Sequence, residues 1–280
     1  MAFNSKIVFS HVSVSYPAAS QPALKDFSIR LTNKHIIGII GNSRAGKTTL
    51  CHLLAGTLPK MVDGEVSGHY QINQWSPQQD WGVYNHQTGV VLQDASSQLT
   101  SFTETVADEL AFNLINRGIQ SQQIKKKVRR VAQLFGLTNQ QTLSPAALSG
   151  GQKQRLAIAS VIVTDPAILI MDDPTSQMDP RGRQIFFHWL QQTTALVFIT
   201  SYEVDALAEV ADELWLMDKG QLVDHGTPFA VFNRFTSPRI KHPVCWQLAK
   251  KMGWVLPTDG QSYPVNYQQL EEAFHAAQDS

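Results

Sequence analysis

The sequence predicts an α/β fold: a parallel β-sheet with helices on both faces, interrupted by two inserts and followed by a small extension. Three observations carry this reading. Apolar runs rich in β-branched residues, Ile36–Ile40, Val90–Leu92, Ile168–Met171, Leu196–Ile199 and Leu214–Met217, lack polar alternation, as strands buried on both faces do. Helix-type spacing lies between most of them, as in Thr48–Ala55 and Arg181–Gln191. Strand, helix, strand in repetition places successive strands in parallel. Finally, 280 residues, 43% of them hydrophobic, can fill one domain core and an appended piece.

The inserts are read in chain order. Val62–Thr88 is polar and turn-rich, with Gly64, Gly68, Pro77 and Gly82, and is expected to form a small antiparallel β patch. Thr105–Ala159 is almost wholly helical in pattern, a helical subdomain over about residues 100–160. Within it the basic run Lys125-Lys126-Lys127-Val128-Arg129-Arg130 shares a helix with Ile124, Val128, Val131 and Leu134. Those apolar residues fall on one face, so the charges are read as its solvated side. After Gly226, Pro238, Pro243, Pro257 and Pro264 punctuate the amphipathic segments Trp246–Met252 and Tyr267–Ala277. The expected division is residues 1–230 as the main domain and 231–280 as a C-terminal extension, a candidate dimerisation element.

Lys plus Arg is 23 and Asp plus Glu is 23, and a balanced charge gives no long-range attraction to nucleic acid or acidic lipid. Cys51 and Cys245 lack metal-ligand spacing and read as reduced thiols of a cytosolic protein. The start, Met1-Ala2-Phe3-Asn4-Ser5-Lys6, has no apolar run like that of a signal peptide. No stretch approaches the roughly 20 apolar residues that cross a bilayer, so work at a membrane requires another chain to hold this one there.

Gly41-Asn42-Ser43-Arg44-Ala45-Gly46-Lys47-Thr48 satisfies GxxxxGK[ST], follows the run Ile36–Ile40 and opens a helix, the context that motif requires. Successive backbone N–H groups curl around an anion and the helix adds its positive end. Lys47 is expected on the β- and γ-phosphates and the Thr48 hydroxyl on Mg²⁺, with Thr49 beside it at the nucleotide. Ile168-Leu169-Ile170-Met171-Asp172, an apolar strand ending in an acid, supplies the metal's carboxylate. Asp173 comes next.

Leu148-Ser149-Gly150-Gly151-Gln152 precedes an apolar-periodic helix and presents N–H groups at its N-terminus. This pentapeptide, between the phosphate loop and the acidic strand, resembles the signature motif of the ABC ATPases, where Ser149, Gly150, Gly151 and Gln152 would cap the γ-phosphate bound by the opposite subunit. The resemblance covers residues 3 to about 230. It implies a P-loop ABC cassette with a RecA-like parallel-sheet core, ATP and Mg²⁺ as ligands, and a second cassette as partner. Tyr16 lies where the family places an aromatic that stacks on adenine. Gln93 matches the glutamine that links metal site to transporter, and is expected at the metal and in catalysis. Ser176-Gln177-Met178-Asp179 matches the D-loop.

A narrower likeness lies within this. Val91–Leu99, Thr105–Phe112, Asn116-Arg117-Gly118-Ile119 and Leu256-Pro257 before the last helix are similar to the energising cassettes of energy-coupling-factor transporters. That implies uptake of vitamins or transition-metal ions, a membrane-embedded coupling subunit, a substrate-binding membrane protein, and a peripheral place on the cytoplasmic face of the membrane. Chromosome cassettes carry a long coiled-coil insert and ribosome types two cassettes in one chain; this sequence has neither, and no nucleic-acid partner is expected.

Three departures from the family pattern concern one site. The catalytic glutamate is here Asp173, the switch histidine is Ser201, and the middle glycine of the phosphate loop is Arg44. Asp173 withdraws the carboxylate by about one methylene, and a misplacement near 1 Å costs on the order of 10²-fold. Loss of a general base costs about 10²- to 10⁴-fold. Ser201 is shorter than imidazole and cannot carry its charge. The signature, which serves the other site, is intact. The expectation is a heterodimer in which this chain's own phosphate loop binds ATP but hydrolyses it poorly. The alternative is a largely non-catalytic ATP-sensing or structural subunit whose partner does the turnover.

Overall fold

A computed structural model describes residues 5–17, 19–235, 240–258 and 260–278; Met1–Asn4 and Pro238, read above, lie outside them. In chain order the elements are β1 (Lys6–Ser15), β2 (Leu24–Thr32), β3 (Ile36–Gly41), α1 (Lys47–Leu54), β4 (Glu65–Ile72), α2 (Trp81–Gln87), β5 (Thr88–Val91), α3 (Val106–Asn116), α4 (Ser121–Leu134), α5 (Gly150–Ile162) and β6 (Ile168–Asp172). They continue with α6 (Pro180–Gln192), β7 (Leu196–Thr200), α7 (Val204–Val210), β8 (Glu213–Asp218), β9 (Gln221–Gly226), α8 (Pro228–Arg234), α9 (Val244–Met252) and α10 (Tyr267–Gln278).

The main sheet has the order β5-β6-β7-β3-β8-β9. Five of these strands are parallel, and β9 returns antiparallel at the edge. All five expected strands are present within one or two residues of their apolar runs. Their side chains alternate between two buried clusters. Ile37, Ile39, Ile170, Phe198 and Trp215 face one cluster, while Ile36, Ile40, Leu169, Met171, Ile199 and Leu216 face the other. Each face therefore has its own core, which is why the runs are apolar at every position.

The second, antiparallel sheet has the order β2-β1-β4. Only β4 comes from the Val62–Thr88 insert, and the end of that insert is the helix α2 rather than strand. β1 alternates along much of its length, burying Ile7, Phe9, Val12 and Val14, because it covers a core on one face only. Trp215 on β8 joins the layers: its ring lies edge-on to Phe9 at 6.1 Å and tilted against Phe27 and Phe198 at 5.5 and 5.8 Å.

The helical lobe is α3, α4 and α5 with short 3₁₀ turns between α4 and α5. Val128 and Val131 on α4 are buried and Ile124 and Leu134 partly so. The basic run is not uniformly solvated: Lys127 and Arg130 both pair with Asp165 at the end of α5, Arg130 at 2.5 Å. Burial raises the Asp165 carboxyl, but these two cations outweigh it and hold it below its ordinary value. Cys51 and Cys245 are buried free thiols. No helix among the described residues is long and apolar enough to cross a membrane.

Candidate functional site: a phosphate loop against two carboxylates

β3 ends at Gly41 and the chain turns through residues 42–46 into α1. Backbone conformation sets the residue types here. Gly46, the N-cap of α1, has φ of 98°, and a Cβ there would lie 2.7 Å from the Ala23 carbonyl oxygen. Gly41, with φ of 152°, would place a Cβ 2.3 Å from the Met217 carbonyl oxygen. Both positions exclude a side chain. Arg44 also has positive φ, 63°, so the loop demands a left-handed residue where the family has glycine. An arginine in that conformation costs about 1–2 kcal/mol.

Lys47, the first residue of α1, is 7% exposed. Its Nζ donates to the carbonyl oxygens of Gly41 at 2.8 Å and Asn42 at 3.0 Å. Opposite it stand two acids at the end of β6. Asp172 is 4% exposed, and its Oδ1 accepts the Thr200 hydroxyl at 2.6 Å. Its Oδ2 is buried with no hydrogen-bond partner. The Asp173 backbone N–H donates to Thr200 Oγ1 at 2.9 Å and to the Thr200 carbonyl at 3.1 Å. Thr200, the last residue of β7, thus holds the Asp172 carboxylate and the Asp173 backbone. Sequence reading passed over it, because only the pairing of β6 with β7 brings it beside Asp172. Burial and the adjacent Asp172 carboxylate push the Asp173 carboxyl above its ordinary range, with Lys47 opposing and Glu203 adding to the shift.

These groups line one cavity of about 350 Å³, with Ala23, Ser43, Arg44, Ala45, Gly46, Thr48, Thr49, Gln93 and Tyr202. Its volume lies within the ordinary range for ligand sites, about 300–1,000 Å³. A larger cavity of about 670 Å³ lies between Arg130, Asp165 and Trp189, but none of the phosphate-loop residues reaches it. The residues present fit a magnesium ion: Asp172, with its orphaned buried carboxylate oxygen, lines the same cavity as the Thr48 hydroxyl and the Gln93 amide, all hard oxygen donors.

Gly41 and Asn42 do not line the cavity, holding Lys47 through their carbonyls, and two further expected residues stand off it. Tyr16 does not line it; its hydroxyl is 3.2 Å from Thr49 Oγ1, donating to it. Ser201 is buried, and its Oγ accepts the Glu203 backbone N–H at 3.0 Å. Its neighbour Tyr202, which sequence reading did not single out, lines the cavity instead.

The segment Leu148–Gln152 lies elsewhere. Ser149 is the N-cap of α5 and completes a capping box: its Oγ accepts the Gln152 N–H at 3.4 Å, and Gln152 Oε1 accepts the Ser149 N–H at 2.9 Å. Ser149 and Gly150 are exposed, so the helix presents its positive end to the surface. None of Ser149, Gly150, Gly151 and Gln152 lines the phosphate-loop cavity. Within the chain the two places are tied by Gln154 on α5, whose Nε2 donates to the Pro174 carbonyl at 2.8 Å.

Comparison with known proteins bears on the family and the fold. The ABC transporter family profile matches residues 24–176. An energy-coupling factor transporter ATP-binding protein EcfA1 from Latilactobacillus sakei is 35% identical over 82% of this chain and 81% of its own length. A protein named EcfA2 of the same kind from Geobacillus kaustophilus is 30% identical, covering 90% of this chain and 91% of its own. Among solved structures, cbiO1 from Clostridium perfringens, part of the ABC transporter complex cbiONQ, superposes with a TM-score of 0.71 at 23% identity. That match covers 93% of this chain and 98% of the other.

Proposed function

The chain belongs to the ABC transporter family, and on that premise we propose that it is a motor subunit of an energy-coupling-factor importer, binding Mg²⁺ and ATP opposite a second, non-identical cassette. The observation that carries this is the separation of its two nucleotide-facing surfaces. The phosphate loop with Asp172 and Asp173 forms one cavity, and the exposed N-terminus of α5 at Ser149 and Gly150 lies outside it. A helix end of that kind has use for a phosphate only when another chain brings one. The relatives named above, matched over most of both lengths, support the importer class.

In this reading Lys47 and the loop N–H groups hold the phosphates, and Thr48, Gln93 and Asp172 hold Mg²⁺, which neutralises phosphate charge when bound. Asp173 is the base toward the attacking water, and its carboxyl is one methylene shorter than the family's. Ser201 is buried and does not line the cavity, and so brings nothing to the phosphate. This site is therefore slow, and turnover resides where the partner's phosphate loop meets Ser149–Gln152. Gln93, exposed after β5, passes the motion to a membrane-embedded coupling subunit that binds the substrate-binding protein for a vitamin or metal ion. It holds this chain at the cytoplasmic face. Residues 231–280 serve as a dimerisation element, consistent with the exposed Val244, Leu248, Met252 and Tyr267.

The test is steady-state ATP hydrolysis by the purified chain, with nucleotide binding measured on the same preparation. ATP bound with hydrolysis near background is the expected result. Turnover in the ordinary enzyme range, about 1 to 10³ s⁻¹, refutes the slow site and makes a homodimer sufficient.

A further inference from the structure

The residues after β7 divide between two tasks. Ser201 is buried off the cavity, its Oγ accepting the Glu203 N–H in the turn into α7. Tyr202 is 49% exposed and turns toward the phosphate loop. Its ring centroid is 4.7 Å from Lys47 Nζ, and its hydroxyl oxygen accepts from that ammonium at 3.4 Å.

Two features of this contact bear on a ligand. It is the longest of the three Lys47 hydrogen bonds, against 2.8 and 3.0 Å to Gly41 and Asn42, so it rearranges at the least cost. It also uses the phenol only as acceptor, and the hydroxyl hydrogen is left to donate. A lysine of this motif sits on β- and γ-phosphate oxygens. A hydroxyl within hydrogen-bond distance of its ammonium is within reach of the same oxygens.

We propose that Tyr202 is a ligand-binding residue of the nucleotide site, its phenol O–H donating to the terminal phosphate and so making the site prefer a triphosphate to a diphosphate. The inference rests on the reading of Gly41–Thr48 as an ATP site. A phenol supplies the hydrogen bond of a switch histidine without an imidazolium's charge. That suits a site that senses the γ-phosphate and cleaves it slowly.

The experiment is calorimetric titration of the full chain in Mg²⁺ with ADP and with AMP-PNP, a triphosphate analogue that resists hydrolysis. Tyr202→Phe is expected to weaken AMP-PNP by about tenfold, the loss of one hydrogen bond to a charged group at a half-exposed site. ADP affinity and the melting temperature of the nucleotide-free variant should not change. Tyr202→His, which restores a donor, should recover AMP-PNP binding. Equal losses for both nucleotides would mean that the ring merely packs on Lys47, and would overturn the proposal. So would an unchanged AMP-PNP to ADP ratio, or a ratio that shifts in Ser201→Ala instead. If the native chain binds neither nucleotide, the ATP-site reading fails and this inference falls with it.

Discussion

Replacing Asp173 with glutamate tests the proposal that this site is slow and that a short base makes it so. The Asp173 backbone is pinned, with its N–H held at 2.9 and 3.1 Å by the Thr200 hydroxyl and carbonyl. The reach of the carboxylate is therefore set by side-chain length. One more carbon extends it by about 1.5 Å, and the adjoining cavity of about 350 Å³ has room for it. A misplacement near 1 Å is worth on the order of 10²-fold. Because Ser201 remains as it is, the expected gain is roughly ten- to hundredfold in phosphate release at saturating Mg²⁺ and ATP. The change has a cost in the fold. Asp173 sits at φ of 48°, a left-handed conformation that aspartate tolerates better than glutamate, so Asp173→Glu should melt slightly lower while turning over faster. The assay is continuous phosphate detection on the purified chain, with Asp173→Asn as the variant lacking a base. If Asp173→Glu binds ATP as the native chain does yet hydrolyses it no faster, the length argument is refuted.

Three further outcomes are expected. In an assembled transporter, Ser149→Arg should abolish ATP turnover while Lys47→Ala reduces it less, and equal losses would sink the division of labour between the two sites. Gln154→Leu removes the only hydrogen bond that ties α5 to the Pro174 carbonyl among the described residues and leaves a buried acceptor unmatched. It should cost about 1–3 kcal/mol in denaturant unfolding, and no change in midpoint would refute that tie. Burial lowers the pKa of His35, with Asp212 opposing, so the folded chain keeps that imidazole neutral where the unfolded chain protonates it. The unfolded state then binds more protons as pH falls below about 6.5, and stability declines from there toward the lower folded value. Melting temperatures between pH 8 and 5 should fall less steeply in His35→Gln than in the native chain, and identical slopes would remove His35 as the cause.

Elements whose evidence is local were legible. Ile36–Ile40 and Leu196–Ile199 are apolar at every position because each strand has a cluster on both sides, and that pattern survives in one dimension. The antiparallel sheet was not legible in the same way. β1 pairs with β2 and with β4, and β4 lies beyond β3 and α1 in the chain; alternation within a strand says which face is buried but not which partner covers it. Likewise the basic run of α4 was assigned to solvent from its own helix face, whereas the Lys127 and Arg130 partner, Asp165, lies on the far side of α5 in sequence.

At the site the limit is of another kind. Motif spacing names positions, and positions are occupied by side chains whose direction depends on the backbone beneath them. Aligning Ser201 with a histidine tells that a shorter side chain, unable to carry a charge, stands where the resemblance places imidazole, and it was read so. It cannot tell that the Ser201 hydroxyl closes a turn on Glu203 while Tyr202 stands over Lys47, because both facts depend on how the chain leaves β7. Thr200 follows the same logic: a threonine inside an apolar strand is unremarkable until β6 and β7 are adjacent and in register. Asp172 then pairs with Thr200, and one hydroxyl holds the Asp172 carboxylate and the Asp173 backbone N–H. A site that has exchanged three of its family residues, at 44, 173 and 201, has thus kept the frame that positions its acids. On the proposed role of Asp173, its speed should change by substitution there without rebuilding the fold around it.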